Sequence, residues 1–335
     1  MSPHEPGPRA TSGRLTANLD EAAEVLRRGG LVAFPTETVY GLGARARDPR
    51  AVAKIFAAKG RPADHPLIVH LARASEVVSW AVAVPDAAHQ LAEAFWPGPL
   101  TLILRRAPGV PDEVTGGQET IGLRIPRHPV ARALLEKVGD GVAAPSANRF
   151  GRVSPTHAEH VSSELGDRVE LILEGGSCEV GLESTIVDCS GTTPVILRPG
   201  AITQEMLEGV LGAPIRARGT SEVRAPGLLA SHYAPRASVS LLTGAEIAAR
   251  AEELVASGAR VGVLASEIPE GLPSEVERFE LSRDLEGVAR ELYARLREVD
   301  RRGVDVLLVV PPAEVGVGRA IVDRLRRAAA PRLQG

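Results

Sequence analysis

The sequence predicts a two-part α/β protein, a mixed sheet wrapped around a cleft followed by a smaller Rossmann-like domain. Three observations carry this. The chain has 335 residues, more than one hydrophobic core usually organises. From Leu15 to about Ile215, short apolar strands crowd together with few long helices between them. Beyond residue 238, apolar runs alternate with helical stretches, the pattern of successive βα units.

In chain order, residues 1–14 are rich in proline and glycine and read as a flexible tail. Leu31 to Phe34 is an apolar strand stopped by Pro35. Asp48 and Pro49 supply an N-cap and a first-turn proline for a helix that buries Val52, Ile55 and Phe56 and stops at Lys59-Gly60. Leu67 to Leu71 is a strand, Asp86 to Phe95 a helix, and Leu100 to Leu104 a strand again. Thr120 to Ile125 alternates: Ile121, Leu123 and Ile125 point one way, Thr120, Gly122 and Arg124 the other, toward a solvated cavity. Gly141 to Ala144 is a strand ended by Pro145. Thr156 with Glu159 has the capping-box spacing for a helix through Leu165. Strands follow at Val169 to Leu173, Ser184 to Asp188 and Val195 to Arg198.

Residues 216–237 lack periodicity, contain Pro226 and Pro235, and read as a linker or functional loop. After them, strands at Ser238 to Leu242, Val261 to Leu264, Val276 to Leu281 and Val304 to Val310 alternate with helices at Ala245 to Ser257, Asp284 to Arg301 and Gly318 to Ala329. No G-x-G-x-x-G opens a helix after the first of these strands, which argues against dinucleotide binding there. The domain expectation is therefore 15–215, then the linker, then 238–335.

Composition narrows the function. A formal net charge of −3 argues against a broadly basic nucleic-acid-coating protein, while leaving room for a local basic cleft. Aromatic content of 3% argues against a base-stacking platform. Two cysteines, Cys178 and Cys189, cannot build a disulfide framework or a zinc ribbon. No apolar run approaches the roughly 20 residues of a membrane span, and the N-terminus lacks a secretory signal's apolar core. A cytoplasmic protein is expected.

The candidate chemistry lies in polar clusters at strand ends. Pro35 to Gly43 (PTETVYGLG) places hydroxyls and a carboxylate beside a buried strand, although a β-turn would use the same residues. Lys59-Gly60-Arg61-Pro62 sets two cations beyond a helix end, suited to a polyphosphate or carboxylate, or to the helix dipole. His70 follows in the next strand. Arg124, on an inward strand face, needs an anionic partner or ligand. Ser146-Ala147-Asn148 precedes Ser154, and Glu183-Ser184-Thr185 and Arg198-Pro199-Gly200 flank later strands. His157 and His160 have H-x-x-H spacing but read as a solvated helix face, and no protein-held metal is expected.

Taken in order, PTETVYGLG, AKGRP with PL behind it, the R-I-P strand, APSAN, ESTIVD and RPG resemble the YrdC/Sua5 family. PGLLASHYAP and GVGRAIVDRLRRAA are similar to the linker and C-terminal helix of its two-domain Sua5 type, so the resemblance covers nearly the whole chain. It implies a YrdC-like twisted sheet around a basic cavity and a C-terminal Sua5 domain. It also implies threonylcarbamoyl-AMP synthesis from L-threonine, bicarbonate or CO2 and ATP, with release of pyrophosphate, for the t6A modification of tRNA. Mg2+ would accompany ATP. A downstream threonylcarbamoyl-transferase complex would take the product, and a weak tRNA or RNA contact is compatible with the basic cavity.

Carried over residue by residue, the resemblance implies a threonine pocket of Thr38, His70, Arg124, Ala144 and Ser184. ATP would contact Arg61, His65, Thr120, Ser146, Asn148, Ser154, Arg198 and Tyr233, with Lys59 and Arg61 as the catalytic cations. His65 departs from the pattern, which more often carries asparagine. Tyr233 would close over the nucleotide as part of a lid. The competing readings are a nucleotide- or RNA-binding module and a carbamoyl-transferring domain of similar fold; the latter normally carries acylphosphatase and zinc-finger segments that this chain lacks.

Overall fold

A computed structural model describes residues 13–217, 223–227 and 232–331. In chain order the strands are β1 (Arg14–Thr16), β2 (Val32–Phe34), β3 (Gly41–Arg45), β4 (Ile68–His70), β5 (Ala81–Val82), β6 (Leu100–Arg106), β7 (Thr120–Arg124), β8 (Val142–Ala143), β9 (Leu171–Leu173), β10 (Thr185–Asp188), β11 (Val195–Arg198), β12 (Arg216–Ala217), β13 (Ser238–Leu241), β14 (Val261–Ala265), β15 (Glu277–Glu280) and β16 (Val306–Val309). The helices are α1 (Leu19–Arg27), α2 (Pro49–Lys59), α3 (Asp86–Phe95), α4 (Asp112–Thr115), α5 (Pro129–Val138), α6 (Ala158–Leu165), α7 (Gln204–Leu211), α8 (Gly244–Ala256), α9 (Leu285–Arg302) and α10 (Gly318–Ala329).

Twelve of the strands form one mixed sheet in the order β1-β9-β2-β3-β8-β4-β7-β6-β10-β11-β12, with β5 added beside β6. The remaining four form a parallel sheet, β13-β16-β14-β15, with α8 between β13 and β14, α9 between β15 and β16, and turns alone between β14 and β15. Parallel pairing requires such crossovers, which accounts for the regular alternation in the last third of the chain. The larger sheet brings β4 and β7 side by side in parallel, with His70 opposite Arg124 at their ends. That register places two site side chains together from segments more than fifty residues apart.

Local signals explain several boundaries. Asp48 accepts from the Arg50 and Ala51 amides, Pro49 opens α2, and Gly60 ends it in a left-handed conformation at φ +63°. Lys59 is thereby delivered, buried, to a place behind the cavity-lining Ser146. The two sheets share a packing surface: the apolar cluster around Leu292, Leu296 and Ile321 also takes in Val39, Val153 and Leu182 of the first part and Tyr233 of the linker. At Gly181 (φ +77°) the backbone of α9 comes so near that an added Cβ would lie 2.5 Å from the Arg290 Cα.

Some expectations change. Arg14 pairs with Leu171 in β1, so the tail expected over 1–14 ends earlier; residues 1–12 lie outside the described residues. β12 extends the first sheet past the boundary expected at 215, and the linker expected over 216–237 falls partly outside the described residues. Thr156 does not cap α6. The helix starts one residue later with His157 at its N-cap and no side-chain cap, because Thr156 Oγ1 is engaged with the His157 and His160 rings. Those two histidines stack edge to face at 4.9 Å and are half-buried, not a solvated face. Gly122 faces Ile103 and Ile68 rather than a cavity, so of the polar face of β7 only Arg124 reaches it.

Candidate active site

The site is assembled at the end of β4 and β7, where the turn after β2 crosses the loop before β10. In that turn Thr36 Oγ1 accepts from the Thr38 and Val39 amides and donates to the Val39 carbonyl at 2.7 Å. This locks Thr38 with its hydroxyl inward, where it accepts from Arg124 Nη1 at 2.8 Å. Glu37 Oε1 lies 2.8 Å from Arg124 Nη2, an ion pair set off the hydrogen-bonding direction. Burial pushes the Glu37 carboxyl up, but Arg124 and donated hydrogen bonds outweigh it and hold the group below its ordinary value.

His70 stands beside Arg124, fully enclosed. Burial, then the Arg124 charge, pushes its imidazole down to about 3, so it is neutral near pH 7. Its Nδ1 has no hydrogen-bond partner among the described residues. On the opposite wall, Ser184 Oγ bridges Thr101 at 2.7 Å and Arg198 at 3.1 Å. Arg198 also donates to the Ser184 carbonyl and to the Pro226 carbonyl of the linker, both at 3.0 Å.

The remaining cations sit below. Lys59 Nζ donates to the Ser146 and Asn148 carbonyls, and burial, then Arg61, pushes it well below an ordinary lysine. Arg61 donates to the Pro66 carbonyl at 3.0 Å and covers the Phe150 ring, while burial brings it down to about 10. Among the described residues no carboxylate pairs with Lys59, Arg61 or Arg198, so this is a concentration of buried positive charge with neutral partners only. Such an arrangement is costly unless anions bind it.

One cavity is lined by Thr38, Arg61, His70, Arg124, Ala144, Ser146, Ser184, Arg198 and Tyr233. Lys59 and Asn148 adjoin it through the Ser146 backbone, Ser154 through its 2.6 Å bond to Glu183, and His65 through its edge contact with Phe150. Thr120 is set apart at the other end of β7, half-exposed and paired opposite Arg105. Glu183 lines the cavity, and Tyr293 and Arg324, which the residue pattern did not single out, hold its carboxylate. Nothing in the sequence separates Arg324 from its neighbouring helix arginines. No group of three or more metal-ligating side chains occurs among the described residues.

Comparisons with known proteins decide the family. The family model described as "Telomere recombination" matches residues 24–200, and "Threonylcarbamoyl-AMP synthase, C-terminal domain" matches residues 202–330. The threonylcarbamoyl-AMP synthase of Pyrococcus abyssi is 43% identical, covering 93% of this chain and 94% of its own. The chain belongs to the Sua5/YrdC family. The Bacillus subtilis threonylcarbamoyl-AMP synthase, another relative in this family, is 44% identical over 93% of each chain. The crystal structure of P. abyssi Sua5 complexed with L-threonine superposes with a TM-score of 0.87 at 42% identity, covering 93% of this chain and 94% of that one. A variant of the same P. abyssi protein gives a TM-score of 0.89 at 40% identity, covering 95% and 96%. The two-part architecture is thus shared with the P. abyssi protein.

Proposed function

We propose that this chain is a threonylcarbamoyl-AMP synthase, condensing L-threonine, bicarbonate or CO2 and ATP into threonylcarbamoyl-AMP and pyrophosphate for t6A modification of tRNA. The observation that carries the reading is the meeting of Arg124, Thr38 and neutral His70 with the cations Arg198 and Arg61 in one cavity, with Lys59 adjoining it.

In this reading Arg124 receives the threonine carboxylate, with Thr38, Ser184 and the backbone at Ala144 around the amino acid. The unpartnered Nδ1 of His70 is available to its hydroxyl or amine. The threonine nitrogen bonds to the carbon of CO2 and loses a proton, giving an N-carboxylate. An oxygen of that carboxylate then bonds to the α-phosphorus of ATP as the bond to pyrophosphate breaks. Each partner is anionic, so Lys59, Arg61 and Arg198 offset their repulsion and the charge gathering on the leaving group. Ser146, Asn148, Ser154 and His65 complete the nucleotide side, with Thr120 outside the cavity at the other end of β7. Because three substrates must meet, positioning supplies much of the remaining rate. ATP enters as its Mg2+ complex, the ion held by phosphate oxygens and water.

The cavity encloses only about 50 Å3, far below the roughly 300 Å3 at which small-molecule pockets begin. Pro226, Gly227, His232 and Tyr233 form part of its wall. The linker therefore acts as a lid that withdraws to admit ATP and closes to protect a hydrolysable product. A threonylcarbamoyl-transferase in the cytoplasm is the proposed recipient, with tRNA contact weak or indirect.

Pyrophosphate release from ATP and bicarbonate, with and without L-threonine and with L-serine as control, tests the function. Strong stimulation by threonine and little by serine is the expected result. A folded protein that binds ATP but ignores threonine would transfer the reading to a nucleotide- or RNA-binding module.

A further inference from the structure

One fully buried charge reaches the wall of the first part's cavity from the second part of the chain. Arg324, on α10, has a side chain 0% exposed, and its Nε donates to Glu183 Oε2 at 2.9 Å. Its Nη2 donates to the Pro199 carbonyl at 3.0 Å, beside Arg198. Tyr293, on α9, donates to the same Glu183 Oε2 at 2.8 Å, and Ser154 donates to Oε1 at 2.6 Å. Both carboxylate oxygens are thus occupied, Oε2 by Tyr293 and Arg324 of the second part and Oε1 by Ser154 of the first.

Glu183 nevertheless borders the cavity, next in sequence to Ser184, which holds Arg198. Glu183 feels the two guanidiniums as its foremost attractive charges, Arg324 first and Arg198 second. A buried carboxylate takes whichever cation it can reach, because leaving it unpaired is costly. Arg324 satisfies Glu183 from behind, and Arg198 keeps only neutral oxygen acceptors.

We propose that Arg324 is a positioning residue for the nucleotide: as the counterion of Glu183, it prevents that carboxylate from capturing Arg198 and leaves Arg198 for the phosphates of ATP. The C-terminal part then has a defined share in the reaction, supplying the charge that keeps the cavity attractive to anions. The inference rests on the ATP and threonine reading given above.

The test is calorimetric binding of ATP and of L-threonine, separately, to full-length variants. Arg324→Met keeps the aliphatic stem and removes the charge; it should raise the ATP Kd by about tenfold or more while threonine moves less than about threefold. Adding Glu183→Gln keeps an oxygen for Tyr293 and Ser154 but removes the competing charge. That double variant should return the ATP Kd to within about threefold of wild type. A purely structural Arg324 would weaken both ligands together, and Glu183→Gln would not restore ATP selectively. An unchanged ATP Kd in folded Arg324→Met, or equal losses left unrepaired in the double variant, overturns the proposal. Should Arg324→Met fail to fold, Arg324→Lys decides. An ATP Kd within about threefold of wild type supports the counterion role, and a parallel tenfold loss for both ligands overturns it. Threonine-stimulated pyrophosphate release by the wild-type chain, measured alongside, tests the underlying function independently of these ratios.

Discussion

Arg124 and Glu37 meet at 2.8 Å, both almost wholly removed from solvent, with the second guanidinium nitrogen turned to Thr38. An ion pair inside the proposed threonine pocket fixes the plane of the guanidinium before the amino acid arrives. It leaves Arg124 held by one carboxylate, a hydroxyl and the Gly98 carbonyl rather than by a full fork-to-fork pair.

Replacing Arg124 by alanine should therefore act on one substrate. The expected loss is about 3 kcal/mol in L-threonine binding, near a hundredfold in Kd, against less than about threefold for ATP. Separate calorimetric titrations of the two ligands check this. Equal loss of both would contradict the pocket assignment.

Lys59→Ala and Arg61→Ala should each lower the turnover of adenylate formation by about a hundredfold or more, the scale of losing a preorganised charge at a developing anion. Threonine binding should change little. Single-turnover pyrophosphate release from the folded variants is the measurement, and wild-type rates in both would remove these cations from the mechanism.

Gly227 has φ +80°, and a Cβ there would lie 2.1 Å from the Tyr233 hydroxyl. Gly227→Ala combines a strained backbone with displacement of the ring, so it should disfavour the closed linker by about 1–3 kcal/mol. The expected signature is ATP hydrolysis uncoupled from threonylcarbamoyl-AMP formation, measured as the ratio of pyrophosphate to adenylate product. A wild-type ratio would exclude any role for this contact in closure.

Acid should destabilise the fold before its carboxylates titrate. Burial, reinforced by neighbouring arginines, pushes His70, His160 and His232 each down to about 3. Unfolded imidazoles bind protons near 6.5, so the unfolded chain carries more protons between those values. Stability should fall as pH drops from about 6.5 toward 3, by at most about 1.4 kcal/mol per pH unit for each histidine. Glu183, held at about 2 because Arg324, Arg198 and donated bonds outweigh its burial, adds its own loss only below its ordinary range near 4.5. Urea unfolding across pH 5–8 checks the first window, and His70→Asn should flatten its slope. A pH-independent midpoint there would show that the buried rings are not neutral in the fold.

The strand-end clusters were legible because each is short, polar and punctuated by proline or glycine next to an apolar run. Asp48-Pro49 and Gly60 bounded α2 correctly for the same local reasons. The parallel sheet after residue 238 was readable from its alternation, since every crossover must be spelled out in sequence. What escaped was decided by packing. β3 begins at Gly41 inside a segment that looks like a turn, and its pairing with β2 sets Gly43 opposite Val32, where a Cβ would lie 2.8 Å from the Phe34 ring. Helices α1, α5 and α7, of nine, ten and eight residues, each fall short of the window over which helical periodicity is read. The Thr156 hydroxyl chose histidine rings over a helix end. Arg324 looks like any solvated arginine until Glu183, 141 residues away, is placed beside it.

Gly181 gives the two parts of the chain a common tolerance. Its missing side chain is the clearance through which α9 lies against the loop leading to Glu183 and Ser184, with the Arg290 Cα and carbonyl both 2.5 Å from where a methyl group would stand. A single carbon atom there would act as a wedge, tilting the helix that carries Tyr293 away from the catalytic wall. Fit between the halves is thus set by a gap narrower than one methyl group, and a C-terminal part grafted from a distant relative would work only if its α9 backbone followed the same track.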